Sequence, residues 1–363
     1  MTAPTTPEHW SFRNGLRIVL SVAVVVAIFA GVLPRIASYS DVWAIIAALS
    51  RSEVVLLLIV AGWNLVTYWF VMVAALPRLS YPQAAVVNQA STAISNTMPA
   101  GGAVGVGVSY AMYRSWGFTP GAIARSVVIS GIWNNFMKLG FPVVTLCLLA
   151  IEGTVSTALV VSALTGVAVL VACIVFFALL LRSDNLARNI GDRAGRILSR
   201  VRRLVGRDPV TTWGSTMVRF RADTIDLVSS RWKALTVASF VSHLSLAIVL
   251  LTSLRLVGVD QDTVSWIAVL AAFAFVRLIS ALPITPGGVG VVELGYVAAL
   301  TIDLEASQRA AVVAGVLMFR FLTYFLPIPL GVVAYLYWRA NRRWRHAPDA
   351  ESGFSGSVQG DTR

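Results

Sequence analysis

Charge is scarce in this sequence. Asp, Glu, Lys and Arg make up 13% of the 363 residues and hydrophobic residues 57%, a balance that soluble globular domains of this size do not show. Cysteine is nearly missing. Cys147 and Cys173 both fall inside apolar runs, so neither a disulfide framework nor a CxxC metal site is available, and both read as small buried hydrophobes. No GxxxxGK[ST] loop occurs, which leaves ATP-driven chemistry by this chain without support. Period-two alternation is also lacking, and that excludes a transmembrane barrel. Ile36-Ala37-Ser38 is only a weak match to a signal-cleavage site, and the apolar run before it is too long for an h-region. It reads as a retained first helix.

What the sequence has instead is continuous apolar chain. Residues 16–33, 54–76, 154–181 and 234–254 are each near or above the ~18–20 residues that cross hydrocarbon as a helix. Inside lipid each backbone amide must be paired within its own segment, so these runs must be helical.

The net charge of +12 is concentrated. Residues 182–233 hold 12 Lys/Arg against 5 Asp/Glu, and Arg339, Arg342, Arg343 and Arg345 follow the last apolar run, whereas 35–53, 151–153, 255–262 and 301–309 are balanced or acidic. That asymmetry is the positive-inside pattern, which puts both basic segments in the cytoplasm and makes nucleic acid a weak alternative. Within the first segment, 186–205 repeats Leu186, Ile190, Ala194, Ile197, Val201 and Leu204 at helical spacing with arginines opposite, as an interfacial helix would. After residue 346 the tail is polar and reads as disordered.

The chain also resembles itself. NTMPAGGAVGVGVSY (96–110) and SALPITPGGVGVVELGY (280–296) share a proline after Met or Leu, a Gly-Gly pair, a further Gly and a Tyr. At an offset of about 184–185 residues, Arg125 matches Arg309, Gly131 matches Gly315 and Pro142 matches Pro327. Counting crossings from a cytoplasmic N-terminus puts both basic segments inside only if 82–116 and 263–300 are hairpins that return to their own side. The first then opens to the cytoplasm and the second to the outside.

The expected fold is an all-α polytopic integral membrane protein, an inverted repeat with two re-entrant, broken-helix hairpins. Pro99, Gly101, Gly102, Pro283, Pro286, Gly287, Gly288 and Gly290 would make the breaks. The chain divides into a cytoplasmic N-terminus (1–15), the first spanning helix with the first repeat and a connecting helix (16–181), a basic amphipathic cytoplasmic loop (182–233), the second repeat (234–338) and a basic, then disordered, cytoplasmic tail (339–363).

The Pro-Gly-Gly-x-Gly-x-x-Glu core of LPITPGGVGVVELGY resembles the signature of the lysylphosphatidylglycerol synthase transmembrane region, the flippase-like family that also forms the membrane half of the multiple peptide resistance factor. The resemblance spans about residues 15–340. The first unit departs from it, with Gly101-Gly102-Ala103 where members often carry Gly-Glu after the proline. It implies a multi-pass protein of the bacterial plasma membrane that handles lipids or lipid-linked molecules. The lysyl-transferring members add a soluble catalytic domain, and since this sequence ends in a short tail, lipid aminoacylation by it alone is not expected.

Ionisable groups at membrane depth are costly, so each is a functional candidate. Glu293 lies in the second hairpin, with Arg277 and Arg320 as candidate partners; it would serve as an ion-pair closure or as a proton-coupling group. Arginine's fork suits a lipid phosphate as well as a carboxylate. Asn135 and Lys138, which match Arg320 and Thr323 at an offset of 185, suggest a central polar cavity, and Asn134 beside them reads as interhelical packing. Arg125 and Arg309, near opposite faces, would snorkel or meet a headgroup. The polar run Asn88, Gln89, Ser91, Thr92, Ser95, Asn96 and Thr97 should be buried or line water. His243 reads as packing, and Trp63, Trp69, Trp338 and Trp344 as interface anchors or packing.

The reading these features carry is translocation of an anionic phospholipid or lipid-linked precursor, by a protein that is not an enzyme and needs no cofactor or metal. Its partners would be membrane lipids and lipid-modifying or cell-envelope enzymes. The alternatives are a membrane-embedded glycosyltransferase using Asp41 or Glu53, and a non-transporting partner subunit.

Overall fold

The computed structural model describes residues 23, 26–98, 101–151, 157–182, 213–280, 285–302, 304–341 and 343–344. The 186–205 segment, the N-terminal residues 1–15, the tail after 346, Pro99 and Pro283 lie outside the described residues. Every regular element among those described is helical.

In chain order the helices are α1 (Ala27–Ile36), α2 (Tyr39–Ala47), α3 (Arg51–Ala75), α4 (Tyr81–Thr97), α5 (Gly101–Ser115), α6 (Pro120–Ile151), α7 (Thr157–Arg182), α8 (Trp213–Leu256), α9 (Trp266–Ile279), α10 (Val291–Leu300), α11 (Ala306–Arg320) and α12 (Pro327–Ala340). Among the described residues, four helices are long and apolar enough to cross a membrane: α3, α6, the 218–256 part of α8, and α11 running on into α12. The protein is an all-α polytopic membrane protein.

Local signals set the starts. Ser50 and Glu53 form a capping box on α3, and Ser80 with Gln83 does the same for α4, each satisfying amide donors that a first turn leaves open. Ser265 caps α9 by accepting from the Ala268 amide. α8 begins at Trp213, so residues 213–233 of the expected loop are helix continuous with the span. They hold their place by packing: Leu227 is buried with Ile129 and Trp133 of α6, and Arg125 pairs with Asp223 at 2.6 Å.

Cys147 and Cys173 are exposed rather than buried. Both sit on outward faces of α6 and α7, away from the packed core.

The two sequence units fold as helical pairs, α4 with α5 and α9 with α10, and the contacts between halves pair off. α3 packs on α8, α4 on α12 and α9 on α6, while α3 on α6 matches α8 on α11. Exchanging the halves at the sequence offset maps each of these contacts onto itself or another. Where α6 runs through Pro142 unbroken, the matching α11–α12 segment opens into a π turn at Phe321–Phe325 before Pro327, and the Leu326 amide bonds to the Phe321 carbonyl.

Candidate functional site

The second hairpin is closed by its glycines and one carboxylate. Pro286–Gly288 forms a tight 3-10 turn, and Gly287 takes φ +57°, where a Cβ would also lie 2.1 Å from the Tyr324 ring; only glycine fits. Gly290, at φ +84°, precedes α10, and its amide donates to Glu293 Oε2 at 2.7 Å. Glu293 is 1% exposed. Its other oxygen accepts from Arg320 Nε at 2.8 Å, and Arg320 Nη2 reaches the Gly287 carbonyl at 3.1 Å. Of the two arginines the sequence offered, the structure pairs Glu293 with Arg320. A family model described as the lysylphosphatidylglycerol synthase TM region matches residues 17–331, from α1 through this closure to α12. The chain belongs to that family. No curated protein matches it closely enough to count as a relative.

Family membership ties this integral membrane protein to lipid metabolism. A cavity of about 460 Å³ opens between α3, α4, α5, α6, α8 and α9. The polar face of α4 lines it through Asn88, Ser91, Thr92, Ser95 and Asn96, as that helix's composition requires. α5 can approach so closely because it carries glycine where the helices touch: a Cβ at Gly101 would sit 2.2 Å from the Ser95 carbonyl oxygen. Gly102, one position on, has open space around its Cα and lines the cavity.

Arg277 reaches the cavity from α9, and its Nε is buried without a hydrogen-bond partner. A buried guanidinium donor left open is costly, so this one is unfinished business for the fold. Lys138 and His243 lie within electrostatic reach of it. His243 lines the cavity too, which sequence reading missed: its Nδ1 pairs with the Ser239 carbonyl at 2.9 Å, its ring packs on Phe141, and its Nε2 is buried without a partner.

The remaining candidates separate. On α6, Ser126, Ser130 and Asn134 recur every four residues and face the cavity, with Lys138 one turn further along the same stripe. Asn135 is rotated about 100° from that stripe and is exposed. Arg125 is held by Asp223, and the exposed Arg309 donates to the Leu304 carbonyl at 2.7 Å. Glu53, one of the acids a glycosyltransferase would have used, is committed to the α3 cap. Trp338 donates to Ser115 Oγ at 3.0 Å, tying α12 to the end of α5. Among the described residues no group of three His, Cys, Asp or Glu could hold a metal.

Two residues join the hairpins. Asn96, at the end of α4, and Tyr324, in the π turn, exchange hydrogen bonds, and the Arg320 guanidinium lies 4.7 Å from the Tyr324 ring centre. Nothing in the sequence links them, because the contact crosses 228 positions.

Proposed function

We propose that this protein carries an anionic phospholipid or lipid-linked precursor between the leaflets of a bacterial plasma membrane, as a transporter rather than a catalyst, with both termini in the cytoplasm. The observation that carries this reading is Arg277, which lines a polar cavity bounded by the first arm of each hairpin and whose buried Nε has no hydrogen-bond partner. A phosphate in the cavity would pair with the Arg277 guanidinium in the geometry arginine favours.

Two further features support a lipid over a soluble anion. Val106 of α5 and Val127 of α6 line the cavity yet stay 48% and 36% exposed, so its wall between these helices is apolar and faces outward. A headgroup held inside could leave its chains in the bilayer there. The hairpin arms supply the second feature. At 10–17 residues they are about 15–25 Å long, shorter than a hydrocarbon core of about 30 Å. Arms of that length suit re-entrant units, and the pairing of contacts between halves suits an inverted repeat, in which alternating access is a rocking of one half on the other.

The test is transbilayer movement of a fluorescent phosphatidylglycerol in liposomes holding the purified protein, read by bleaching of the outer leaflet. Acceleration by the wild type and its loss in Arg277→Gln are expected. Equal rates in protein-containing and protein-free liposomes would overturn the reading.

A further inference from the structure

The cavity wall specifies more than negative charge. Among the described residues that line it there is no Asp or Glu, while Arg277 is there and Lys138 stands within its electrostatic reach. Glu293, close by in the fold, has both oxygens taken by Gly290 and Arg320. A headgroup carrying an ammonium would therefore face cations and find no counter-ion.

The neutral part of the wall is equally particular. Ser91 donates its hydroxyl proton to Asn88, Ser109 to Gly105, Ser126 to Ile123 and Ser130 to Val127, each to a backbone carbonyl of its own helix at 3.0–3.2 Å or, for Ser126, 2.9 Å. With their protons turned inward to the helix, these hydroxyls offer lone pairs to the cavity. Helices α4, α5 and α6 thus each present hydroxyl acceptors to the cavity that Arg277 lines. The complement is a phosphate oxygen for the arginine and several O–H donors for the serines.

We propose that the cavity selects a lipid phosphate whose further substituent is an uncharged polyol, glycerol or sugar, and rejects headgroups that carry an ammonium, including an aminoacylated one. This rests on the reading of the cavity as the transport site. Glycerol and sugar share the recognising chemistry, a phosphate with neutral hydroxyl donors, and the test separates them.

Short-chain lipids would be titrated into the full chain in detergent by calorimetry: dioctanoyl phosphatidylglycerol, a short-chain prenyl phosphoglucose, phosphatidylcholine, and lysylphosphatidylglycerol of the same chain length. One or both of the first two should bind at least about tenfold more tightly than the last two, the step expected of one charge-assisted contact. Which of them binds more tightly identifies the source. Arg277→Lys, which keeps the charge and loses the fork, should weaken the preferred lipid and leave phosphatidylcholine unchanged. Ser91→Ala with Ser130→Ala should narrow its advantage over phosphatidic acid, which has the phosphate without the polyol.

Lysylphosphatidylglycerol binding as tightly as phosphatidylglycerol would overturn the proposal, as would equal binding of all four. The two readings fail separately. Movement of lipids in liposomes without headgroup preference would sink this inference and leave transport standing. Selective binding without any movement would do the reverse.

Discussion

Tyr324 and Asn96 bond to each other twice, the phenol donating to the Asn96 carbonyl at 2.5 Å and the Asn96 amide donating to the Tyr324 carbonyl at 3.0 Å. Each donor thus meets a main-chain acceptor, so the end of α4 is fixed to the π turn by backbone as well as side chain. Because Tyr324 also lies against Gly287 and Arg320, the same ring touches both hairpins.

Tyr324→Phe keeps the ring and removes one of the two bonds. The cost should be about 1 kcal/mol of stability. Hydrogen–deuterium exchange should quicken in 94–105 more than in 286–300. Unchanged exchange in 94–105 would mean that the phenol does not hold α4.

The Glu293–Arg320 pair is buried, and losing one partner strands the other. Glu293→Leu or Arg320→Met alone should destabilise by about 3–5 kcal/mol, and the double substitution should recover a large part of that loss. Thermal unfolding in detergent measures both. Additive losses in the double variant would show that the two side chains act independently.

Gly331 is where α12 lies on α4. A Cβ there would stand 2.2 Å from the Gln89 carbonyl oxygen and 2.3 Å from the Ala93 Cβ. Gly331→Ala should therefore cost about 1–3 kcal/mol by overpacking. By contrast Gly107→Ala, with nothing within 4 Å, should leave the unfolding midpoint where it is or raise it.

Topology can be read without knowing the substrate. In a variant with Cys147 and Cys173 replaced, single cysteines at Thr119 and Ile302 would be exposed to an impermeant thiol reagent on intact cells. Both positions are exposed in the fold. Labelling at 302 and not at 119 is the outcome expected of hairpins that open to opposite faces. Labelling at both, or at neither, would remove the inverted arrangement.

The helices were legible because length and apolarity are summed over many residues, as in α3 and α8, and no single position decides them. The turn before α10 was legible because glycine marks it, and Gly287, Gly288 and Gly290 all take positive φ there. Side-chain pairing was only half legible: Glu293 had two candidate arginines, and sequence distance could not choose Arg320 over Arg277. Asn135 shows the limit of the repeat. The offset that matches it to Arg320 fixes depth along the helix but not the face, and one position of rotation took it away from the cavity. The serines of α6 carried no signal of their own, since a serine every four residues in an apolar helix looks like ordinary packing. His243 read as packing, and it does bond locally to Ser239 and pack on Phe141; its place on the cavity wall emerges only in three dimensions.

The π turn at Phe321–Phe325 has a consequence for which changes the chain can absorb. With i to i−5 bonding it holds one residue more than an α turn without rotating α12 about the axis it shares with α11. Deleting one residue there would let the hydrogen-bond ladder close as an α-helix and leave Gly331 on the α4 surface and Trp338 beside Ser115. The same deletion in the regular part of α11 would turn the whole of α12 by about 100°. In this short stretch the count of residues is held less strictly than in the helix on either side of it.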